Sequence, residues 1–208
     1  MTQEPTPTIE TRRSRKRRKT ADHIVDVAYK LFSLHGYDAV TMEQIAAEAD
    51  VAKGTLYNYF PVKEALVRHR MHADLAEQLP SLMAAINLQS ARTDERLSSF
   101  LHAAAEYSTR SRDYLPQYIH YRLSQPISEL RGDNRSSLNS VFEQLLCEGQ
   151  AAREITNRYS ATLLADYLQF MHLSTLLRWL GQPDLQLTDA FDEMLDLFLY
   201  GCQSENKS

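Results

Sequence analysis

Apolar positions along the chain recur at intervals of three and four residues, which is the spacing of one face of an α-helix. The first such segment follows Thr20, a residue suited to cap a helix, and carries apolar residues from Ile24 to Phe32. Gly36 provides a stop signal, because glycine readily adopts the left-handed conformation that ends helices. The pattern therefore predicts a first helix between Thr20 and Gly36.

Two shorter helical segments follow the first. Thr41 and Gln44 have the spacing of a capping box, which predicts a second helix of about two turns. After a short turn, a third helix is predicted from Lys53 to Phe60, and Pro61 ends it because proline cannot continue a helix. Two short helices joined by a tight turn are typical of a helix-turn-helix motif, whose second helix fits the DNA major groove.

The rest of the chain also has helical periodicity, and no segment is convincing as a β-strand. A fourth helix is predicted from near Lys63 to about residue 88, with a bend near Pro80. Further helices are predicted at about 94–110, 114–123, 136–151, 160–180 and 188–202. The predicted fold class is therefore all-α.

Composition argues against several classes of protein. No apolar run in the 208 residues approaches the roughly 18 that span a membrane, and the N-terminus lacks the apolar stretch of a signal peptide. We therefore expect a soluble, cytoplasmic protein. Cys147 and Cys202 fit no disulfide framework, and His69 and His72 have no third ligand close in sequence, so no metal or cofactor is expected. Because the sequence motifs of common enzyme classes are missing, we expect no catalytic residues.

Charge is concentrated near the N-terminus. The formal net charge is −4, yet seven basic residues lie between Arg12 and Lys19. A block of like charge preceded by Pro5 and Pro7 predicts a disordered arm that binds a polyanion such as DNA. A tail that only improves solubility is the alternative that charge alone leaves open.

The predicted third helix exposes an unusual set of side chains. With Leu56 and Phe60 directed inward, the remaining positions carry groups suited to DNA. Lysine and asparagine can read base edges, hydroxyl groups can bind phosphates, and glycine permits close approach of the backbone. The candidate DNA-binding residues are Thr41, Lys53, Gly54, Thr55, Tyr57, Asn58, Tyr59 and Lys63, with Arg15, Arg17 and Arg18 of the basic segment.

The segment from Thr41 to Leu66, TMEQIAAEADVAKGTLYNYFPVKEAL, strongly resembles the DNA-binding segment of the TetR family of bacterial transcriptional repressors. With the preceding helix, the resemblance covers about residues 20 to 68. It implies a homodimer that binds a palindromic operator in double-stranded DNA and is released by a small-molecule inducer. It also implies a helix-turn-helix domain at 20–66 and a helical ligand-sensing and dimerisation domain at 67–203. The disordered basic arm predicted from the charge pattern then occupies 1–19, and a tail occupies 204–208.

Three residues depart from the family pattern. Asp50 stands where glycine is common, and Ala52 and Val62 stand where a capping serine or asparagine is usual. The helix-turn-helix segment also has more acidic than basic residues. We therefore expect the basic arm to supply phosphate or minor-groove contacts.

The helices predicted at 160–180 and 188–202 are strongly apolar. Apolar residues cover most of the circumference of the first, so it must be buried on nearly all sides. Pairing with a second copy would give a four-helix interface, whereas core helices of a monomer are the alternative. The predicted interface residues are Leu164, Leu168, Leu176, Trp179, Phe191, Leu195 and Phe198.

A ligand cavity is expected between the helices of the larger domain. Its candidate lining suits a flat, aromatic or lipophilic ligand, with His102, His120 or His172 orienting a polar end; ordinary core packing is the alternative. The candidates are Phe100, Tyr107, Tyr114, Tyr118, Tyr121, Phe142, Tyr167 and Met171.

Two other classes of function compete with an inducible regulator. One is a helix-turn-helix protein without an inducer, such as a nucleoid or division-type factor. The other is a helical protein-interaction module, which would explain the apolar helices but neither the basic arm nor the segment from Lys53 to Lys63.

Overall fold

The computed structural model describes residues 12–89, 92–125 and 137–202, and all regular secondary structure in these ranges is helical. The prediction of an all-α fold is confirmed. Within the same ranges, no helix is long and apolar enough to cross a membrane. The helices are α1 Arg12–His35, α2 Met42–Glu48, α3 Lys53–Tyr59, α4 Lys63–Gln89, α5 Thr93–Arg110, a 3₁₀ turn Arg112–Tyr114, α6 Leu115–Ser124, α7 Ser137–Ala151, α8 Ala161–Leu180 and α9 Leu187–Tyr200.

The chain divides into two compact units, and the division between Met71 and His72 falls inside α4. The first unit contains α1, α2, α3 and the beginning of α4. Its core includes the fully buried side chains of Ile24, Ile45 and Leu66. Because α2 and α3 have only seven residues each, packing of their apolar faces rather than intrinsic helix propensity must hold them in place.

The ends of α2 are fixed by local backbone chemistry. The predicted capping box is present, since the Thr41 N–H donates to Gln44 Oε1 at 2.8 Å and the Gln44 N–H donates to Thr41 Oγ1 at 3.2 Å. Asp50 adopts a left-handed φ of 52° in the turn before α3, a conformation that aspartate tolerates better than most residues. Ala52 occupies the N-cap of α3 without a side-chain cap. The helix-turn-helix therefore forms despite two departures from the family pattern.

The first helix begins earlier than the sequence predicts. α1 starts at Arg12, so Thr20 is an interior residue whose hydroxyl donates to the Lys16 carbonyl at 3.1 Å. The predicted disordered arm is therefore wrong for residues 12–19, which are helical and exposed, whereas residues 1–11 lie outside the described residues. Arginine and lysine are good helix formers, and extension of an existing helix needs no new nucleation. The helix propensity of these residues and the absence of a nucleation cost outweigh the repulsion between their like charges.

The second unit contains the rest of α4 and the helices α5 to α9. α8 packs against α7 and α9, and α5 packs against α7 and α9. The fully buried rings of Phe100 and Phe142 meet edge to face, with their centroids 5.7 Å apart. α4 continues through Pro80, where the sequence predicted a bend. The predicted tail at 204–208 lies outside the described residues.

The start of α5 is tied to the segment that follows α7. The backbone N–H and the hydroxyl of Thr93 both donate to Glu154 Oε2, at 2.7 and 2.6 Å. Gly149 lies against Thr93. A Cβ built on Gly149 would be 2.6 Å from Thr93 Oγ1 and 2.7 Å from Ile155 Cγ1. A larger residue therefore cannot occupy position 149 without displacing its neighbours.

Candidate functional site

The short helix α3 separates an anchored face from an exposed one. Leu56 and, just beyond the helix end, Phe60 are buried in the first unit. Lys53, Gly54 and the other outward positions face solvent, and a Cβ at position 54 would meet no atom within 4 Å. The predicted DNA-binding residues Lys53, Gly54, Tyr57 and Asn58 are exposed, and Thr55 and Tyr59 are half-buried. The geometry thus gives an anchored helix with a polar and aromatic outer surface.

A carboxylate of α2 engages two of these α3 side chains. Glu43 Oε1 lies 2.5 Å from Lys53 Nζ and accepts a longer hydrogen bond of 3.4 Å from the Tyr57 hydroxyl. The Lys53 ammonium is also 5.9 Å from the centroid of the Tyr57 ring. The hydrogen bond from Lys53 lowers the pKa of Glu43, and the same bond raises the pKa of Lys53. Both groups are therefore charged at neutral pH.

Lys63 has a different role from the predicted DNA contact. Its ammonium donates to the carbonyl oxygens of Tyr37 at 2.6 Å and Val40 at 2.9 Å, and lies 4.2 Å from the centre of the Tyr37 ring. These contacts hold the connection between α1 and α2 against the start of α4. The side chain is turned toward the protein, so the spacing in the sequence misassigned it.

The Thr41 hydroxyl also forms its hydrogen bonds within the protein. Besides accepting from the Gln44 N–H, Oγ1 lies 3.2 Å from Gln44 Oε1, to which it donates. The residue is exposed at the start of α2. A phosphate contact by the Thr41 hydroxyl would have to compete with this capping box.

The basic part of α1 lies near the outer surface of α3. The Arg17 guanidinium is 5.7 Å from the centroid of the Tyr59 ring, within reach of a cation–π contact. Arg15 and Arg18 are exposed on the same extension of the helix. The structure therefore places Arg17 beside α3, and this arginine is part of α1 rather than of a separate arm.

The second unit contains a cavity of about 90 Å³ between α6, α7 and α8. Its lining combines apolar side chains with several polar ones, and Asn139 donates to Asp166 Oδ1 at 3.2 Å. No spacing signal in the sequence predicts this set, because three separate helices supply it. The lining residues are Tyr118, Arg122, Leu123, Leu138, Asn139, Asp166, Gln169, Phe170, His172, Leu173 and Leu176.

Most predicted ligand residues lie elsewhere. Of the eight, only Tyr118 lines this cavity. Phe100 and Phe142 are part of the solid core, and the Tyr107 hydroxyl donates to Asp74 Oδ2 at 2.9 Å. Tyr167 is exposed, and the half-buried members outside the cavity are Tyr114, Tyr121 and Met171. An aromatic residue on a predicted helix does not reveal which cavity, if any, it faces.

His172 is a buried titratable group in the lining of the cavity. Burial lowers its pKa to about 4, so the imidazole is neutral at physiological pH. Its ring is stacked on Phe191. Nε2 is buried, and among the residues that the structure describes it has no hydrogen-bond partner.

The predicted dimer residues are largely core residues of a single chain. Leu168, Leu176 and Trp179 of α8 are buried within the unit, as are Phe191 and Leu195 of α9. This corrects their assignment to an interface, because α5 and α7 already cover those faces. Leu164 and Phe198 are half-buried. The apolar residues that the two helices expose are Leu163, Tyr167, Phe170, Leu177, Leu197 and Tyr200.

No metal site is apparent in the ranges 12–89, 92–125 and 137–202, where no three suitable side chains converge. His69 instead contacts Asp22, with Nε2 and Oδ1 2.8 Å apart. His69 therefore belongs to the packing between α1 and α4 in the first unit.

Comparison with known proteins identifies the family of the helix-turn-helix segment. The family model described as bacterial regulatory proteins, tetR family, matches residues 24–69. The chain is 26% identical over 179 residues to the HTH-type transcriptional repressor DhaR of a Mycobacterium species, covering 81% of this chain and 86% of that protein. Over 53 residues it is 49% identical to the HTH-type transcriptional repressor KstR of Mycolicibacterium smegmatis, covering 26% of this chain and 24% of that protein.

Solved structures extend the similarity of fold to most of the chain. The TetR-family repressor FadR of Thermus thermophilus, in complex with lauroyl-CoA, superimposes with a TM-score of 0.75 at 23% identity, covering 90% of this chain and 98% of that one. FadR of Bacillus subtilis, in complex with stearoyl-CoA, gives a TM-score of 0.64 at 21% identity, covering 88% and 99%. The helix-turn-helix assignment is confirmed, and the matched family is one of non-enzymatic DNA-binding proteins. Residues 24–69 form a DNA-binding domain of the TetR family of bacterial transcriptional regulators, and most of the chain shares the fold of a solved TetR-family repressor.

Proposed function

We propose that this regulator is a cytoplasmic repressor that binds a palindromic operator as a homodimer and leaves it when a small molecule binds the second unit. The observation that carries the proposal is the geometry of α3. Leu56 and Phe60 anchor this helix, while Lys53, Gly54 and Asn58 face outward in a helix-turn-helix. A rigidly held helix with this surface suits base reading in the major groove.

The outer surface of α3 offers both kinds of contact that a specific complex needs. Asn58 and Lys53 carry the amide and ammonium groups that read base edges, and Gly54 lets the helix backbone approach DNA closely. Tyr57 and the nearby Arg17 supply phosphate contacts, which fix the register of the protein on the duplex. Operator recognition then combines base reading by α3 with phosphate binding by α1.

Dimerisation uses the exposed apolar face of α8. Leu163, Tyr167, Phe170 and Leu177 follow the spacing of one helix face, and Tyr167 and Phe170 are 62% and 60% exposed. A second copy would cover this stripe in a self-complementary manner, and Leu197 of α9 is a further exposed apolar residue. Two reading helices related in this way can contact half-sites about one DNA turn apart.

The ligand site is the cavity beside His172. It combines an apolar lining with Arg122, the Asn139 and Asp166 pair, and the buried Nε2 of His172, which suits a small apolar molecule with a polar end. The solved FadR relatives bind lauroyl-CoA and stearoyl-CoA, and a ligand with a long acyl chain would have to enlarge this volume of about 90 Å³. A ligand that binds the DNA-incompetent conformation more tightly shifts the population away from the operator.

Selection of random duplexes by the purified protein at near-physiological salt tests the DNA-binding part. The expected result is an enriched palindrome with half-sites about one helical turn apart, and loss of that enrichment in Tyr57→Ala while the fold is retained. Binding without sequence enrichment that moderate salt abolishes would contradict the proposal, because the basic face of α1 would then act alone.

The small volume of the cavity favours a second candidate, a DNA-binding protein of the same family without an inducer. Thermal shift with a library of fatty acids, acyl-CoA thioesters and aromatic acids separates the two. Stabilisation of the wild type that Leu173→Trp abolishes supports the inducible regulator, since a larger side chain would fill the cavity. No stabilisation by any member supports the second candidate.

A further inference from the structure

One carboxylate competes with DNA for the cation at the start of the reading helix. Glu43, in the first turn of α2, lies 2.5 Å from the Lys53 ammonium and also accepts from the Tyr57 hydroxyl at 3.4 Å. Lys53 and Tyr57 are one helical turn apart on α3, so a single carboxylate reaches both. The side chains of Lys53 and Glu43 are 63% and 53% exposed, so the cluster lies on the surface that would meet DNA.

This arrangement changes what an approaching phosphate encounters. The charge of Lys53 is compensated at contact distance, and the carboxylate itself repels the phosphate. Phosphate contacts supply essentially all of the affinity for non-specific DNA, whereas a specific site adds hydrogen bonds to base edges. A built-in anion at this place therefore weakens non-specific binding more than specific binding.

We propose that Glu43 is a specificity-determining residue, which occupies Lys53 and Tyr57 in the free protein and releases them only where base contacts replace its own. The proposal rests on the DNA-binding function proposed above. It assigns to Glu43 no contact with DNA. Its action is a cost on phosphate contact by Lys53, which a random duplex incurs in full and which the operator, read through base edges, largely avoids.

The test compares Glu43→Gln with Glu48→Gln for binding to the selected operator and to a random duplex of equal length. Glu48 is an exposed residue of the same helix, so its substitution removes the same charge from α2 away from the Lys53 and Tyr57 cluster. Glutamine at position 43 can still accept hydrogen bonds but carries no charge. An exposed ion pair contributes little to folding, so the thermal midpoints of both variants should stay close to that of the wild type.

Glu43→Gln should bind the random duplex more tightly and the operator nearly unchanged, so the ratio of the two affinities falls. Freeing one cation for phosphate should steepen the slope of log affinity against log salt by about 0.9. Between 50 and 200 mM salt, the affinity of the variant for random DNA should then fall by about threefold more than that of the wild type. Glu48→Gln should change neither the ratio nor the slope by as much.

Two results would overturn the proposal. Weaker operator binding by Glu43→Gln with unchanged random-duplex binding would mean that Glu43 positions Lys53 for base reading. Equal behaviour of the two variants would mean that only net charge matters. Failure of the wild type to enrich any sequence would instead reject the proposed DNA-reading function, so the two failures are distinguishable.

Discussion

The imidazole of His172 lies nearly parallel to the ring of Phe191, with ring centroids 4.9 Å apart and an interplanar angle of 17°. Phe142 approaches the same imidazole more steeply, at a centroid distance of 6.2 Å and an angle of 64°. A titratable ring is thus packed into the aromatic centre of the second unit. Its protonation would place a charge there without a compensating group in these ring contacts.

Stability should depend on pH through His172. Burial lowers its pKa to about 4, below the unfolded value near 6.5, so its neutral form stabilises the fold above about pH 6.5 and that contribution is lost as the pH falls toward 4. The free energy of unfolding should decline over this window by about 3 kcal/mol more in the wild type than in His172→Phe. Urea denaturation at half-unit pH steps measures the difference. Parallel pH profiles would show that His172 is not neutral in the native state.

Gly149→Ala should destabilise the second unit. The new methyl group would lie 2.6 Å from Thr93 Oγ1 and 2.7 Å from Ile155 Cγ1, so the start of α5 and the segment after α7 must separate. Overpacking of this kind costs about 1–3 kcal/mol. Urea denaturation of the variant and the wild type gives the value, and an unchanged midpoint would show that this junction is loose.

Gly54→Ala should leave folding intact and weaken operator binding. A Cβ at position 54 meets nothing within 4 Å, and alanine favours the helix by up to about 1 kcal/mol over glycine. The added methyl lies on the outer surface of α3, where it would hold the helix backbone away from DNA. We expect about tenfold weaker operator binding, the equivalent of one lost hydrogen bond. Fluorescence anisotropy measures it, and unchanged affinity would place position 54 outside the interface.

Lys63→Met should destabilise the first unit. The substitution keeps the apolar stem but removes the ammonium that donates to the Tyr37 and Val40 carbonyls. Loss of hydrogen bonds from a charged donor costs about 2 kcal/mol. Lys30→Met, at an exposed site on α1, is the control and should be nearly neutral. Thermal denaturation checks both, and a stable Lys63→Met variant with impaired DNA binding would restore the original DNA-contact assignment.

Tyr167→Glu should shift the protein from dimer to monomer. It places a charge in the middle of the exposed apolar stripe of α8, where a partner helix would otherwise bury it. Leu34→Glu introduces the same charge at a 76% exposed apolar position of α1 and serves as the control. Sedimentation at several concentrations should show a monomer for the first variant only. A wild type that is itself monomeric would contradict the proposed interface.

The helix-turn-helix could be predicted because its signals are local. The Thr41 capping box, the stop at Gly36 and the inward pair Leu56 and Phe60 depend on neighbours within a few residues. The orientation of Lys63 could not be predicted, since its partners Tyr37 and Val40 are more than 20 residues away in sequence. Spacing along one helix does not show which neighbours a side chain will find.

The apolar helices show the same limit on a larger scale. The pattern of α8 indicates burial on most sides but does not distinguish a neighbouring helix of the same chain from a helix of a second copy. Leu168 and Trp179 are buried by the chain itself, whereas Tyr167 and Phe170 remain exposed. The polar lining of the cavity left no signal, because Asn139 and Asp166 come from different helices.

The extension of α1 over Arg12 to Lys19 has a consequence for the rate of encounter with DNA. A helix holds its basic residues on a stiff rod and keeps them exposed, so their positive potential acts before any contact forms. Such a potential accelerates diffusional association and loses its effect as ionic strength rises. Because the formal net charge of the whole chain is −4, we expect this basic segment of α1 to orient the protein as it approaches a duplex.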